Sequence, residues 1–410
     1  MIVPKLLADR IFDIEFHGYL SNHAKHAIVA LQNIHATDER IQEWWDTYTQ
    51  ETPYGYQLHK VDQDWDSVQP CTQEQWKKWN GKKVHWQEMS VFMQRELNDR
   101  FNGDINQLIR EYAPPLIPGM AGALTHGVIH LGWAIDAKSD WMIVEGLAYL
   151  NFCNVGVEPS KISVDQENAE TNPLDSFTRI AKTWDTENLA DTWIASVMST
   201  YGEDFHSELV PAGFQWQLAK VMHEPHEVAT KVPKWLLDTP LTALWENIYR
   251  TVVLVYLASR DAEGNGNFLI LHAITSLWGL EHVLQVIDDE EVTRKSLQQY
   301  YTMLVCLLAS SASGFPTSSI LSKPSILSKA ANEYPATSTE IPDWKPIEAR
   351  GMAEEEEHNI KLVYVCREMW KRYNHWSGFC DASRAFILTP NIGPRRAATS
   401  SVKPYLNKRI

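Results

Sequence analysis

Long segments of this chain repeat apolar residues at three- and four-residue spacing, and clean period-two runs bounded by turn residues are few. A chain built this way has to fold through helices. Only 19 glycines interrupt its 410 residues. The spacing predicts helices over 21–35, 38–50, 86–112, 119–136, 140–152, 176–200, 214–222, 241–260, 267–288, 292–313 and 352–374, with strands minor or absent. At roughly 100–200 residues per domain, this length allows two or three units. Histidines on apolar helix faces lie on both sides of the polar stretch 158–173, which argues for one shared core. The expected architecture is mainly α, a single large multi-helix body over 1–375 with a C-terminal extension, 376–410. The serine-, proline- and lysine-rich segment 316–350 is expected to form a loop or lid within that body.

Composition removes several classes of function. A net charge of -15 with 44% apolar residues excludes a disordered chain and a binder of nucleic acid by bulk charge. Apolar runs such as 251–258 and 303–309 fall short of the eighteen or so residues that span a bilayer, so no membrane span is expected. The first residues reach acidic side chains before any long apolar stretch, which does not support a secretory signal; a cytoplasmic location is the expectation. Five separated cysteines, with no Cys-x-x-Cys pair, argue against a disulfide scaffold or a zinc ribbon.

Fifteen histidines are more informative. In SNHAKHAIVALQNI, Ser21 or Asn22 can cap a helix on which His23 shares a face with Ala27, Ala30 and Ile34, and His26 lies about 60° to one side. Both rings can reach one pocket, although a lone core histidine is ordinarily just packed and hydrogen-bonded. In GMAGALTHGVIHLGWAI, His126 and His130 stand at i and i+4, a spacing with which two imidazoles can grip one metal. The surrounding glycines, each costing about 1 kcal/mol inside a helix relative to alanine, point to close approach by a neighbouring helix or a ligand. His272 shares a face with Thr275, Ser276 and Gly279 in an otherwise apolar helix. Glu145, in DWMIVEGLAYL, is an acid among apolar neighbours; such a carboxylate needs a partner, and orienting a metal-bound imidazole is one such role. Thr275 is a second candidate for holding a ring in place. Trp133 and Trp278 are candidate walls for a flat aromatic ligand, with ordinary packing the simpler role for each.

Taken together, NHAKHA, PGMAGALTHGVIHLGWAI with VEGLAYL after it, LHAITS and EEHNIKLVYV resemble the questin oxidase-like family over roughly residues 15–375. The resemblance implies an oxidoreductase: a helical oxygenase that uses O2 to oxidise or ring-cleave anthraquinones and related hydrophobic aromatic polyketides. It implies one non-haem Fe(II) held by four histidines and a carboxylated lysine, with NADPH, where required, an external reductant, since no nucleotide-binding glycine motif is present. Carried across, the paired histidines fall on His126 and His130, the later one on His272, and the N-terminal ligand on His23, His26 or both. Lys361 would bear the CO2-derived carbamate. Read from its own surroundings, Lys361 could equally pair with Glu357 on a solvated face, although the apolar run 362–366 favours burial, which makes an amine neutral and able to capture CO2. Two other readings stand beside this one. Glu203 with His206 and Glu355 with His358 have the Glu-x-x-His spacing of a di-iron carboxylate bundle, completed by Glu145 or Glu281. A non-catalytic helical member of the family is the other. Oligomeric state is left open.

Overall fold

The computed structural model describes residues 2–168, 170, 172–311, 315–316, 321 and 343–391. Helix accounts for 66% of it and strand for 4%, arranged as one body without a closed sheet. The strands are two short ribbons, Glu15–Phe16 antiparallel to Leu20–Ser21 and Ser163–Asp165 parallel to Lys231–Pro233. At the centre, the helices His126–Asp136, Asp140–Phe152 and Phe268–Ile287 pack together, while Ala24–Asn33 lies against Glu357–Arg372. Phe268–Ile287 is long and apolar enough to cross a membrane by length and composition alone, but it is the middle of the body and 83% of its apolar window is buried.

Glycine explains how closely the central helices approach. A Cβ on Gly132 would fall 2.0 Å from the carbonyl oxygen of Gly279, and one on Gly279 would fall 2.6 Å from that of Val128. No side chain fits at that crossing, so the helix carrying His126 and the helix carrying His272 are held backbone to backbone. Their ring positions are fixed relative to each other as a result.

Several helices begin or break where periodicity alone runs on. The expected 86–112 helix is interrupted where Asn102 and Gly103 take positive φ, and Asp104 then caps Ile105–Tyr112 through the amides of Asn106 and Gln107. The expected 119–136 helix starts only at His126, and 352–374 is two helices, Lys345–Ala353 and Glu357–Arg372. Asn22 does accept an amide, that of Ala24, but His23 occupies the cap position of its helix. Of the loop expected over 316–350, residues 317–320 and 322–342 lie outside the described residues, and 345–350 are helical. The start of the 376–410 extension forms the helix Ser377–Arg384, packed on Glu357–Arg372 with Phe379 and Cys380 buried; residues 392–410 lie outside the described residues.

Candidate metal centre

Four helix starts and turns bring His23, His126, His272 and His358 together in the core, one ring nitrogen from each lying within 4.8 Å of the others. His23 and His126 face each other through Nε2 at 2.6 Å, and His272 and His358 through Nε2 at 3.1 Å. The opposite nitrogen of each ring is already committed. His126 Nδ1 meets the carbonyl of Ala123 at 2.5 Å, His272 Nδ1 that of Phe268 at 2.7 Å, and His358 Nδ1 the carboxylate of Glu356 at 2.6 Å. His23 Nδ1 faces Glu357 at 3.4 Å. Carbonyls and carboxylates only accept, so Nδ1 of His126, His272 and His358 carries the proton and Nε2 of each presents a lone pair inward. His23 Nδ1 lies between Glu357 and the Tyr48 hydroxyl, 3.5 Å away, and its Nε2 faces that of His126. The four rings have the donors to hold a metal ion, and outer partners of this kind fix the tautomer of a metal-bound imidazole.

The backbone is bent to make this possible. Ala123, Leu124 and Thr125 take left-handed φ of 48°, 54° and 68° in succession, with no glycine among them. Such a conformation costs about 1–2 kcal/mol per residue, and here it returns the Ala123 carbonyl to the His126 ring. Strain of this kind persists only where the surrounding packing enforces it.

Burial depresses the proton affinity of all four rings. It holds His23, His126 and His358 well below the ordinary imidazole value and takes His272 down to about 3, the positive charge of Lys361 adding to the effect in each. Lys361 is fully buried, and its Nζ has no hydrogen-bond partner among the described residues. Burial pushes its amine down to about 8, opposed by the nearby Glu357 and Glu356. A buried amine without a partner is costly, and its charge acts on all four rings.

His26 and His130 lie beside this group and form another. His26 Nε2 is 3.0 Å from His130 Nδ1, His130 Nε2 is 3.5 Å from Glu145, and Glu145 takes both its oxygens to Lys25 at 2.6 and 2.7 Å. Glu145, expected to orient an imidazole, thus lies close to His130, while its charge is met by Lys25. The Thr275 hydroxyl turns back to the carbonyls of Leu271 and His272. Trp133 and Trp278 are buried against Tyr364, ring centroids 5.6 Å away in both cases. The Glu-x-x-His pairs do not converge: Glu203 is exposed, His206 meets Glu208, Glu355 reaches Arg40, and Glu281 binds Tyr249 and Arg372.

Sequence reasoning named His358 only for the di-iron alternative, paired with Glu355, and did not place it with the other three histidines, nor Glu356, Glu357 and Tyr54 at its side. The Tyr54 hydroxyl lies 2.7 Å from Glu357 and 3.1 Å from Glu356. The signal was there in part, because His358 stands one helical turn before Lys361 in HNIKLV and shares its face.

No curated protein matches this chain. The model of the family described as questin oxidase-like matches residues 20–366, a span that contains His23, His126, His272, His358 and Lys361. The family description points to an oxidoreductase, and the buried histidine–glutamate cluster has the donors to bind a metal ion. With more than half of its length matched, the chain belongs to the questin oxidase-like family.

Proposed function

We propose that this protein is a mononuclear non-haem iron oxygenase that uses O2 to oxidise or ring-cleave a hydrophobic, anthraquinone-like aromatic polyketide. The observation that carries the reading is the set of four buried imidazoles whose inward ring nitrogens lie within 4.8 Å of one another, three of them held by an acceptor on Nδ1. Imidazole suits iron, and membership of the questin oxidase-like family supports an oxidative reaction on an aromatic polyketide. Bound Fe(II) would give O2 a centre from which to accept electrons.

The chain's own residues do the rest. Ala123, Phe268 and Glu356 hold His126, His272 and His358 in one tautomer, so that these rings need little reorganisation to bind an ion. Lys361 would hold the ion through a carbamate: its neutral amine would add to CO2, forming an N–C bond and releasing a proton, and would so supply an anionic oxygen donor. Burial of the rings and of Lys361 keeps bulk water from the centre.

The test is anaerobic reconstitution with Fe(II), followed by oxygen-electrode assays over hydroxyanthraquinones. Near one iron per chain and substrate-dependent O2 uptake are expected. A carbamate resonance from 13C-bicarbonate should appear in the wild type and be absent from Lys361→Met. Two irons per chain, or no O2 uptake with any such substrate, would overturn the reading.

A further inference from the structure

We infer that Trp133, Tyr364 and Trp278 form a redox relay that drains oxidising equivalents from the histidine centre to a proton-accepting carboxylate, Asp136, at the protein surface. The inference rests on the oxygen chemistry proposed above.

The rings make an unbroken path. His26, beside the centre, stands 6.1 Å from Trp133 between ring centroids; Trp133 stands 5.6 Å from Tyr364, Tyr364 stands 5.6 Å from Trp278, and Trp278 stands 4.3 Å from His282. Tyr364 is also one helical turn beyond Lys361, and Trp133 follows His126 and His130 along one helix face. Electron tunnelling falls steeply with distance, and no gap here exceeds one ring contact. Packing alone would explain buried aromatic rings. It does not require the polar end of the path. The Tyr364 hydroxyl donates to Asp136 Oδ2 at 2.7 Å, and the other Asp136 oxygen lies 3.6 Å from His282 Nε2. Asp136 and His282 are the partly exposed members, at 17% and 12% of their side-chain surface.

This pairing sets where the charge comes to rest. Burial and the Asp136 charge raise the Tyr364 phenol above its ordinary value, so it does not ionise by itself. It gives up its proton only together with an electron. In each event one electron leaves Tyr364 through Trp133 for the oxidant at the centre, which is reduced by one electron, and the O–H bond breaks as the proton passes to Asp136. A small external one-electron reductant such as ascorbate returns the electron by way of His282 and Trp278, and Asp136 returns the proton. The relay would spare the ligand helices when O2 is activated with no organic substrate to consume it.

The experiment treats Fe(II)-loaded protein, without organic substrate, with O2 in one arm and with hydrogen peroxide in the other, and freeze-quenches both for electron paramagnetic resonance. Peptide mass spectrometry then locates inserted oxygen. The wild type should give a tyrosyl signal that Tyr364→Phe abolishes, with oxidation of Trp133, His26 and His130 rising severalfold in the variant. Asp136→Asn, at a partly exposed position, should lower the radical yield by about tenfold or more for want of a proton acceptor. Identical radical signals and damage maps in wild type and Tyr364→Phe would overturn the relay. A Tyr364-dependent radical with peroxide, but no reaction with O2 under any condition, would uphold the relay and overturn the oxygenase reading. Substrate-dependent O2 uptake without a Tyr364-dependent radical in either arm would do the reverse.

Discussion

Two clusters of buried histidines lie side by side in this protein, the second drawn from two of the four stretches of chain that supply the first, and they are built differently. In the first, His23, His126, His272 and His358 turn four Nε2 atoms toward one point while backbone carbonyls and carboxylates occupy the outer nitrogens. In the second, His26 and His130 face each other, and the buried charges Glu145 and Lys25 pair with one another. The first gathers a ring nitrogen from each of four histidines within 4.8 Å of one another; the second joins two rings to an ion pair and leaves His26 Nδ1 and His130 Nε2 without a hydrogen-bond partner among the described residues. Burial and spacing are the same in both, so neither decides ligation. What decides it is which ring nitrogen is left with a free lone pair, and where that lone pair points.

The largest expected effect breaks the comparison directly. Alanine at His126, His272 or His358 removes a donor from the first cluster and should abolish stoichiometric iron binding, measured by elemental analysis of the folded fraction after desalting. Alanine at His130 should leave iron bound, with affinity weakened by no more than the roughly 10–100-fold typical of residues that act behind the ligands. If His130→Ala empties the site while His358→Ala does not, the two clusters have been assigned the wrong way round.

The reason this contrast was only half legible in the sequence is physical. Helical period and apolar faces displayed the fold class and most helix positions, because both follow from local spacing. The i, i+4 pair His126 and His130 also looked like a ligand pair, but a left-handed run at 123–125 rotates the first turn and ties His126 to its own backbone. Nothing local announces that run, since Ala123, Leu124 and Thr125 include neither glycine nor asparagine. His358 was hidden for another reason. It follows four consecutive glutamates that suggest a solvated face, yet Glu355 is exposed while Glu356 and Glu357 are buried as partners for the rings. Where an acidic run crosses from surface to core depends on packing against helices more than three hundred residues away in sequence, such as the contact of Glu357–Arg372 with Ala24–Asn33.

The second cluster should respond most to loss of its own ion pair. Lys25→Met leaves Glu145 charged and buried without its partner, which should destabilise the protein by about 3–5 kcal/mol in denaturant titrations. Iron stoichiometry in the folded fraction should stay near that of the wild type. Chelation offers the converse. Removing metal should take stability from the first cluster alone, about 2.7 kcal/mol relative to protein held at a free metal concentration one hundred times Kd. Lys25→Met and wild type should lose the same increment, because the pair and the metal act on separate clusters. Increments that differ by more than a few tenths of a kcal/mol would mean the clusters are coupled.

The smallest effect concerns the pH at which the second cluster's balance fails. Burial alone would raise the Glu145 carboxyl, but Lys25 and His130 outweigh it and hold Glu145 below its ordinary value of 4.5. A carboxylate whose folded value is depressed stabilises the fold fully above its unfolded value, and that stabilisation is lost as pH falls toward the depressed one. Glu145→Gln is nearly the same size and cannot ionise. The stability gap between wild type and Glu145→Gln should therefore be constant near neutral pH and should narrow only below about pH 4.5. Urea titrations of the metal-free proteins at several pH values measure this gap. A gap that closes between pH 7 and 5 would place the titrating partner on a histidine, and would mean that the Lys25–Glu145 pair does not hold the second cluster neutral.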